Sequence, residues 1–307
     1  MGRNSPTKFN SMIDGMKILV TEPEDLDNIR RNENLKFEQR GAYDYTKYRG
    51  LHIRWQPSHC LIDGSLHKFK NNGVHNADDF EYSDLKQVIE DLYNELGINP
   101  SHAAIKNLEI GINIKLPYNP LMFIDSIVKH GGKLPEVDNI GVKIPYQQYE
   151  IKIYSKSQQD RIFHNENILR CEVKFKKMCK AKKELGKIEC LEDLLSPAFW
   201  CYNTDYLCKM LNSLNVIDIK SLVYNDIPID EKLYIHEWKY RDRWANSRTE
   251  RSRMRAKLKT KLEQHSLTSI HEEVKKLSNS KFENLLSDAH IVSYQQGIRD
   301  RRLHFNL

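Results

Sequence analysis

The stretch Leu108-Glu109-Ile110-Gly111-Ile112-Asn113-Ile114-Lys115-Leu116 governs the reading of the fold. Its aliphatic residues, Leu108, Ile110, Ile112 and Ile114, occupy alternate positions, with Glu109, Gly111 and Asn113 between them. A period of two places the two sets on opposite faces of a strand. Pro117 and Pro120 end it, because proline has no N–H to give to a ladder. Two later segments repeat the pattern. In 150–156, Ile151 and Ile153 oppose Lys152, Tyr154 and Lys156; in 168–175, Leu169, Cys171, Val173 and Phe175 oppose Arg170, Glu172 and Lys174. Three such strands predict a sheet with one aliphatic face. The other face carries Glu109, Asn113, Lys152, Tyr154, Lys156, Arg170 and Glu172.

Outward from these strands the signals alternate. Residues 51–55 and 60–69 read as two strands around a Pro57-Ser58 turn, and Asn71-Asn72-Gly73 as a further turn. Ser83 is placed to cap a helix whose apolar positions are Leu85, Val88, Ile89, Leu92 and Leu96, ending at Gly97. Residues 121–130 read as a helix closed by Gly131-Gly132. Beyond Glu189 the strand signals fade, and 191–195, 206–214 and much of 239–288 read as helical. The expected fold is α+β: an antiparallel sheet flanked by helices over 1–188, then a mainly helical, basic region over 189–307.

With 307 residues, 39% hydrophobic and 29% charged, the chain has the composition of a globular protein with a sizeable core. It has no apolar run of membrane-spanning length, and Met1 to Asn10 lack the apolar segment of a secretory signal. No membrane partner and a cytoplasmic location are therefore expected. The six cysteines have no C-x-x-C spacing, which argues against a zinc site. Net charge is +6, and it is concentrated. Ten Lys/Arg against three acids lie between His236 and Lys261, and a second basic run spans Lys174 to Lys187. Such clustering suits a phosphate-binding surface, with Arg248, Arg251 and Arg255 as expected DNA contacts and Trp238, Tyr240 and Trp244 as bases' stacking partners. A packed helix with solvated cations is the bland alternative.

There is no P-loop, G-x-G-x-x-G, H-E-x-x-H or G-x-S-x-G motif. What remains, a tyrosine flanked by lysines on a strand face with carboxylates, suits transesterification at a phosphodiester. A phenol is a weak nucleophile near neutral pH because its pKa is about 10. A hard cation, Mg²⁺ or Mn²⁺, would neutralise the phosphate, and Glu109, Glu172 and Asn113 offer it oxygen ligands. Lys156 and Lys152 are placed to lower the phenol's pKa or to protonate a leaving oxygen. Tyr146 and Tyr149, just upstream, are the competing nucleophiles.

The segment Ile151-Lys152-Ile153-Tyr154-Ser155-Lys156 resembles the tyrosine segment of filamentous-phage gene II replication proteins. Leu169-Arg170-Cys171-Glu172-Val173 resembles their downstream L-[VR]-R-x-E strand, and Asn107-Leu108-Glu109-Ile110 stands in the place of their upstream R-I-D strand. Gly64-Ser65-Leu66-His67-Lys68 is similar to a G-S-L-H-K stretch of related initiators from Bacteroidetes phages and mobile elements. The resemblance spans roughly residues 50 to 180 and points to the wider HUH endonuclease superfamily. It implies an HUH-like nuclease core that nicks one DNA strand at a replication origin, with Tyr154 as nucleophile and Lys156 assisting. It implies a metal held by Glu109 and Glu172, with His67, and DNA contacts from Lys152 and Arg170. Single-stranded and origin DNA and the host replication machinery are the implied partners. One departure is plain: no His-hydrophobic-His pair exists in the sequence. A non-enzymatic origin-binding or regulatory protein would need the basic segments but not Tyr154 or the acids. A relaxase or transposase would share the chemistry and differ in its task.

Overall fold

The computed structural model describes residues 13–76, 78, 80–160, 165–218, 226–239, 248–265, 267 and 269–286. Its centre is a ten-stranded sheet in which every neighbouring pair is antiparallel. The strands are β1 (Ile13–Val20), β2 (Glu38–Arg40), β3 (Tyr43–Tyr48), β4 (Leu51–Gln56), β5 (His59–Ser65), β6 (Ala104–Lys115), β8 (Glu136–Val137), β9 (Gly141–Pro145), β10 (Tyr149–Ser155) and β11 (Ile168–Phe175). Their spatial order is β2-β3-β4-β5-β1-β6-β11-β10-β9-β8. A meander of short hairpins thus lies on each side of a central pair, β1 and β6. The fold is α+β, as the alternating segments predict.

The three strands read from the sequence are neighbours, and their register places the polar residues together. Arg170 stands opposite Asn113 on one side and Tyr154 on the other; Glu172 stands opposite Gly111 and Lys152. On the aliphatic side Ile110, Ile112, Ile114, Ile151, Ile153, Leu169, Cys171 and Val173 are buried in the main core. Helix α1 (Pro23–Arg31) follows β1, α2 (Leu66–Lys70) follows β5, and α3 (Tyr82–Leu96) leads back to β6. Helix α3 buries Leu85, Val88, Ile89, Leu92 and Leu96, the stripe predicted for it. Its cap is Glu81, in a reciprocal box with Asp84, one turn boundary earlier than Ser83.

Residues 60–69 do not form one strand. β5 stops at Ser65, whose hydroxyl accepts from the Lys68 amide at 3.1 Å and starts α2. In the same way β10 stops at Ser155, which caps the one-turn helix α5 (Lys156–Gln159), so Lys156 is helical. Residues 121–130 split into α4 (Leu121–Ile124) and strand β7 (Ile127–His130). β7 pairs with β12 (Leu214–Val216), a partner some ninety residues away in the chain, which no local pattern reveals.

Helices α6 (Met178–Leu185), α7 (Pro197–Asn212) and α10 (Ser269–Leu285) place Leu185, Trp200, Leu207 and Phe282 in the same core as the sheet. The core therefore continues across the boundary expected near residue 188. A smaller cluster gathers Val128, Ile217, Ile235 of α8 (Ile229–His236), Trp238, and Leu258 and Leu262 of α9 (Arg248–Gln264). No helix among the described residues is long and apolar enough to cross a membrane.

The end of α3 fixes α1. Asn28 and Asn32 donate to the carbonyls of Gly97 and Glu95, at 3.4 and 2.5 Å, and so satisfy carbonyls that a helix leaves open at its C-terminus. Gly97 is left-handed, φ 69°, and a Cβ there would lie 2.5 Å from Asn28 Cβ. Gly97→Ala should therefore cost about 1–3 kcal/mol, read as a lower urea midpoint with an unchanged m-value. An unchanged midpoint would show that α1 does not need this close contact.

Candidate active site

Arg170 lies mid-strand on β11 with no exposed surface. A guanidinium in that position must find acceptors for its donors, because burying an uncompensated charge costs several kcal/mol. It finds three. Nε donates to Glu172 Oε1 at 2.5 Å, one terminal nitrogen to Asn113 Oδ1 at 3.0 Å, and the other to Asp14 Oδ2 at 3.0 Å. Asn113 and Glu172 come from the strands read in the sequence, and Asp14 comes from β1.

Asp14 is itself buried and fully engaged. Ser65 Oγ donates to its Oδ1 at 2.6 Å, and Asn76 Nδ2 reaches both oxygens at 3.1 and 3.0 Å. Burial alone would raise its pKa. The charge of Arg170, then the hydrogen bonds from Ser65 and Asn76, overcome that and hold it at about 2. Asn76 also accepts from Lys156 Nζ at 3.0 Å. Lys156, buried, bonds Gln159 Oε1 at 3.2 Å, and its pKa is lowered by burial and then by Arg170.

Tyr154 donates its hydroxyl proton to Glu172 Oε1 at 2.9 Å, the oxygen that Arg170 also holds. Burial, then the Glu172 charge, push the phenol's pKa above its ordinary value. Glu172 Oε2 lies 3.9 Å from Lys152 Nζ, which bonds Glu109 Oε1 at 3.3 Å; Lys174 reaches the same Glu109 oxygen at 2.8 Å. Two glycines make room for this row. A Cβ at Gly141 would lie 2.4 Å from Tyr154 Cβ, and one at Gly111 would lie 2.9 Å from Glu172 Cγ. No side chain from either neighbouring position can cover the phenol or the carboxylate.

The structure thus brings Tyr154, Glu172, Arg170, Asn113, Lys152 and Glu109 onto one face, with Lys156 linked through Asn76 and Asp14. It corrects several sequence expectations. Arg170 cannot meet a phosphate without giving up a carboxylate or Asn113, so it organises the site rather than contacting DNA. Glu109, Glu172 and His67 do not converge on one point. Glu172 faces Arg170 and Tyr154, Glu109 is covered by two lysines, and His67 is fully buried on α2 with Nε2 2.7 Å from Asp78 Oδ1. Among the described residues the His67 Nδ1 atom has no hydrogen-bond partner, and the charges acting on this ring are those of Asp78, Arg170 and Asp14. Among the described residues no group of three or more His, Cys, Asp or Glu side chains is arranged to hold an ion.

Tyr146 and Tyr149 belong elsewhere. Tyr149 shares the aliphatic side of β10 with Ile151 and Ile153, and its ring stacks on Tyr146 at 4.4 Å. Tyr146 is tied to His130, 2.6 Å from Nδ1. Trp238, expected to stack on bases, is instead buried in the smaller core. Tyr240 and Trp244 lie outside the described residues. Arg248, Arg251 and Arg255 lie on α9, their side chains outside the described set. Much of the second basic run is internally paired: Lys174 with Glu109, Lys176 with Glu150, Lys180 with Glu184, Lys182 with Glu189.

Sequence reasoning missed Asp14, Ser65, Asn76, Gly111 and Gly141. Asp14 was hidden because β1 has a register irregularity between Ile13 and Met16, which breaks the alternation there. Met16, Ile18 and Val20 against Gly15 and Lys17 would have revealed the strand itself. Neither protein-family models nor curated proteins give a match to the chain.

Arg170→Met should remove the cation bonded to both buried carboxylates and cost about 3–5 kcal/mol at neutral pH. In the wild type the depressed Asp14 pKa contributes stability above about pH 4, lost as pH falls through about 2. Without Arg170, burial raises the Asp14 pKa, so the deficit should shrink as pH is lowered from 7 to 5. Urea unfolding at both pH values measures it. Equal deficits would mean that the carboxylates were not charged partners of Arg170.

Proposed function

We propose that the protein cleaves one strand of DNA through Tyr154, as the replication initiators it resembles do. The observation that carries this reading is the hydrogen bond from the Tyr154 hydroxyl to Glu172, a carboxylate that Arg170 also holds, on a strand face where Gly141 and Gly111 make room for the two side chains. A tyrosine used only for packing has no need of a carboxylate that is itself fixed by a buried arginine.

Glu172 is the group to receive the phenolic proton. Ordinary phenol and carboxylate pKa values differ by about 6 units, so full transfer beforehand would cost about 8 kcal/mol. The proton therefore moves as the Tyr154 oxygen bonds to phosphorus, when charge passes into the phosphate oxygens. The P–O bond to the 3′ oxygen breaks, that oxygen takes a proton to become a free 3′-hydroxyl, and the 5′ side is left as a phosphotyrosine. Lys152, partly exposed between Glu109 and Glu172, is placed to meet the phosphate charge. The free 3′-hydroxyl would prime a host polymerase, and reversal at the same tyrosine would rejoin the displaced strand. The exposed cations of α9, Arg253, Lys257 and Lys259 among them, offer further phosphate contacts.

A divalent ion is implied for this chemistry by the resemblance, while Glu109, Glu172 and His67 as arranged do not share a coordination shell. The same assay decides its need. Labelled single-stranded oligonucleotides incubated with Mg²⁺ or Mn²⁺ should give a covalent protein–DNA band, and chelator either abolishes it or leaves the charge to the lysines.

Tyr154→Phe should abolish the adduct while keeping the fold. Glu172→Gln should slow its formation by about 10²–10⁴, the usual worth of a positioned base. Tyr149→Phe should leave it intact. An adduct that persists in Tyr154→Phe, or is lost only in Tyr149→Phe, would overturn the assignment. Absence of any adduct in the wild type with DNA binding retained would favour the non-enzymatic DNA-binding reading.

A further inference from the structure

Beside the Tyr154 cluster a groove of about 470 Å³ crosses β5, β1 and β6. Its size lies within the roughly 300–1,000 Å³ range of ligand pockets. Asp14 and Asn76 line it, and both belong to the Arg170 network, so the groove and the Tyr154 site share a wall. Gly15, Gly50 and Gly64 also line it. At Gly64, φ 155°, a Cβ would lie 2.9 Å from the Gly50 carbonyl oxygen, so the β3–β4 turn packs backbone to backbone on β5 beneath the groove.

The charge lining the groove is unbalanced. Asp14 is neutralised by Arg170, and Asp63 is paired with Arg54. Glu109 is shared by two cations, Lys152 and Lys174. Lys17 and Lys68 line the groove with no ion-pair partner among the described residues. A concave, glycine-lined surface with surplus cations, sharing the Asp14 and Asn76 wall with a candidate phosphodiester-cleaving tyrosine, fits a flat ring joined to a phosphate.

We infer that this groove seats one nucleotide of the substrate single strand next to the cleaved bond, its base over the Gly15 and Gly64 backbone and its phosphate beside Lys17 and Lys68. The inference rests on the cleavage reading above and extends it to how the strand is held. An unpaired base is required, because only a single strand presents a ring face to the glycine-lined floor. His52, also on the groove wall and held by Tyr45 at 2.7 Å, offers a second flat surface at its rim.

The test uses the full chain, a fluorescent single-stranded oligonucleotide and the double variant Lys17→Gln, Lys68→Gln. Each lost phosphate contact on a single strand should flatten the dependence of log affinity on log salt by about 0.7, so the double variant should lose about 1.4. The charge-preserving pair Lys17→Arg, Lys68→Arg should keep the wild-type slope, and a duplex of the same sequence should show no difference between variants. An unchanged slope in a variant with the wild-type melting temperature overturns the inference, as does an equal loss with the duplex. The two readings fail separately. An adduct with an unchanged slope removes the groove and keeps the cleavage, whereas a flattened slope with no adduct in the wild type does the reverse.

Discussion

A buried guanidinium fixes the geometry on which everything around it depends. Arg170 joins three strands, because its acceptors Asp14, Asn113 and Glu172 come from β1, β6 and β11. Taking such a charge out of water costs several kcal/mol unless each donor is met, so its partners tolerate little displacement. That rigidity passes outward. Glu172 is held in the orientation that receives the Tyr154 hydroxyl, and Asp14 anchors Asn76, which in turn holds Lys156. Replacing the whole set with apolar side chains of similar volume could pack as well. A polar network in this position is better explained by what it orients than by stability alone.

The sheet was legible to the extent that its strands alternate. β6, β10 and β11 showed their faces because their aliphatic residues alternate with polar ones, and their antiparallel register then brought Glu109, Lys152, Tyr154, Arg170 and Glu172 together. The limits were physical. Serine hydroxyls at Ser65 and Ser155 end strands by capping one-turn helices, and a hydrophobic pattern continues smoothly through such a switch. β7 exists because β12 pairs with it, a contact set by the tertiary fold. Asp14 escaped notice because the irregular register of β1 turns it toward Arg170 out of phase with Met16, Ile18 and Val20.

Charge was the least transferable signal. A run of lysines in sequence says nothing about their partners, and much of the stretch from Lys174 to Lys182 meets carboxylates of its own fold. Conversely Lys17 and Lys68, isolated in sequence, line one groove in space. Tyrosine position was likewise decided by parity. Tyr149 and Tyr154 are five positions apart, an odd number, and on a strand that puts them on opposite faces. One joins an aromatic cluster with Tyr146, and the other faces Glu172.

The same parity orders the charges on the polar face. With no substrate, Lys152 lies between Glu109 and Glu172, nearer the former, and Arg170 is bonded to Glu172 from the other side. A phosphate arriving over Tyr154 brings negative charge next to two carboxylates, which is unfavourable unless a cation moves toward it. Lys152 is partly exposed and held only by long contacts, whereas Arg170 is locked. Lys152 can therefore turn to the phosphate while Arg170 stays with Glu172. As Lys152 turns away, Glu172 loses one stabilising charge and becomes a stronger acceptor for the phenolic proton. On the proposed chemistry, substrate binding and activation of Tyr154 are thus coupled through a single lysine, with Arg170 setting the limit on how far the carboxylate can follow.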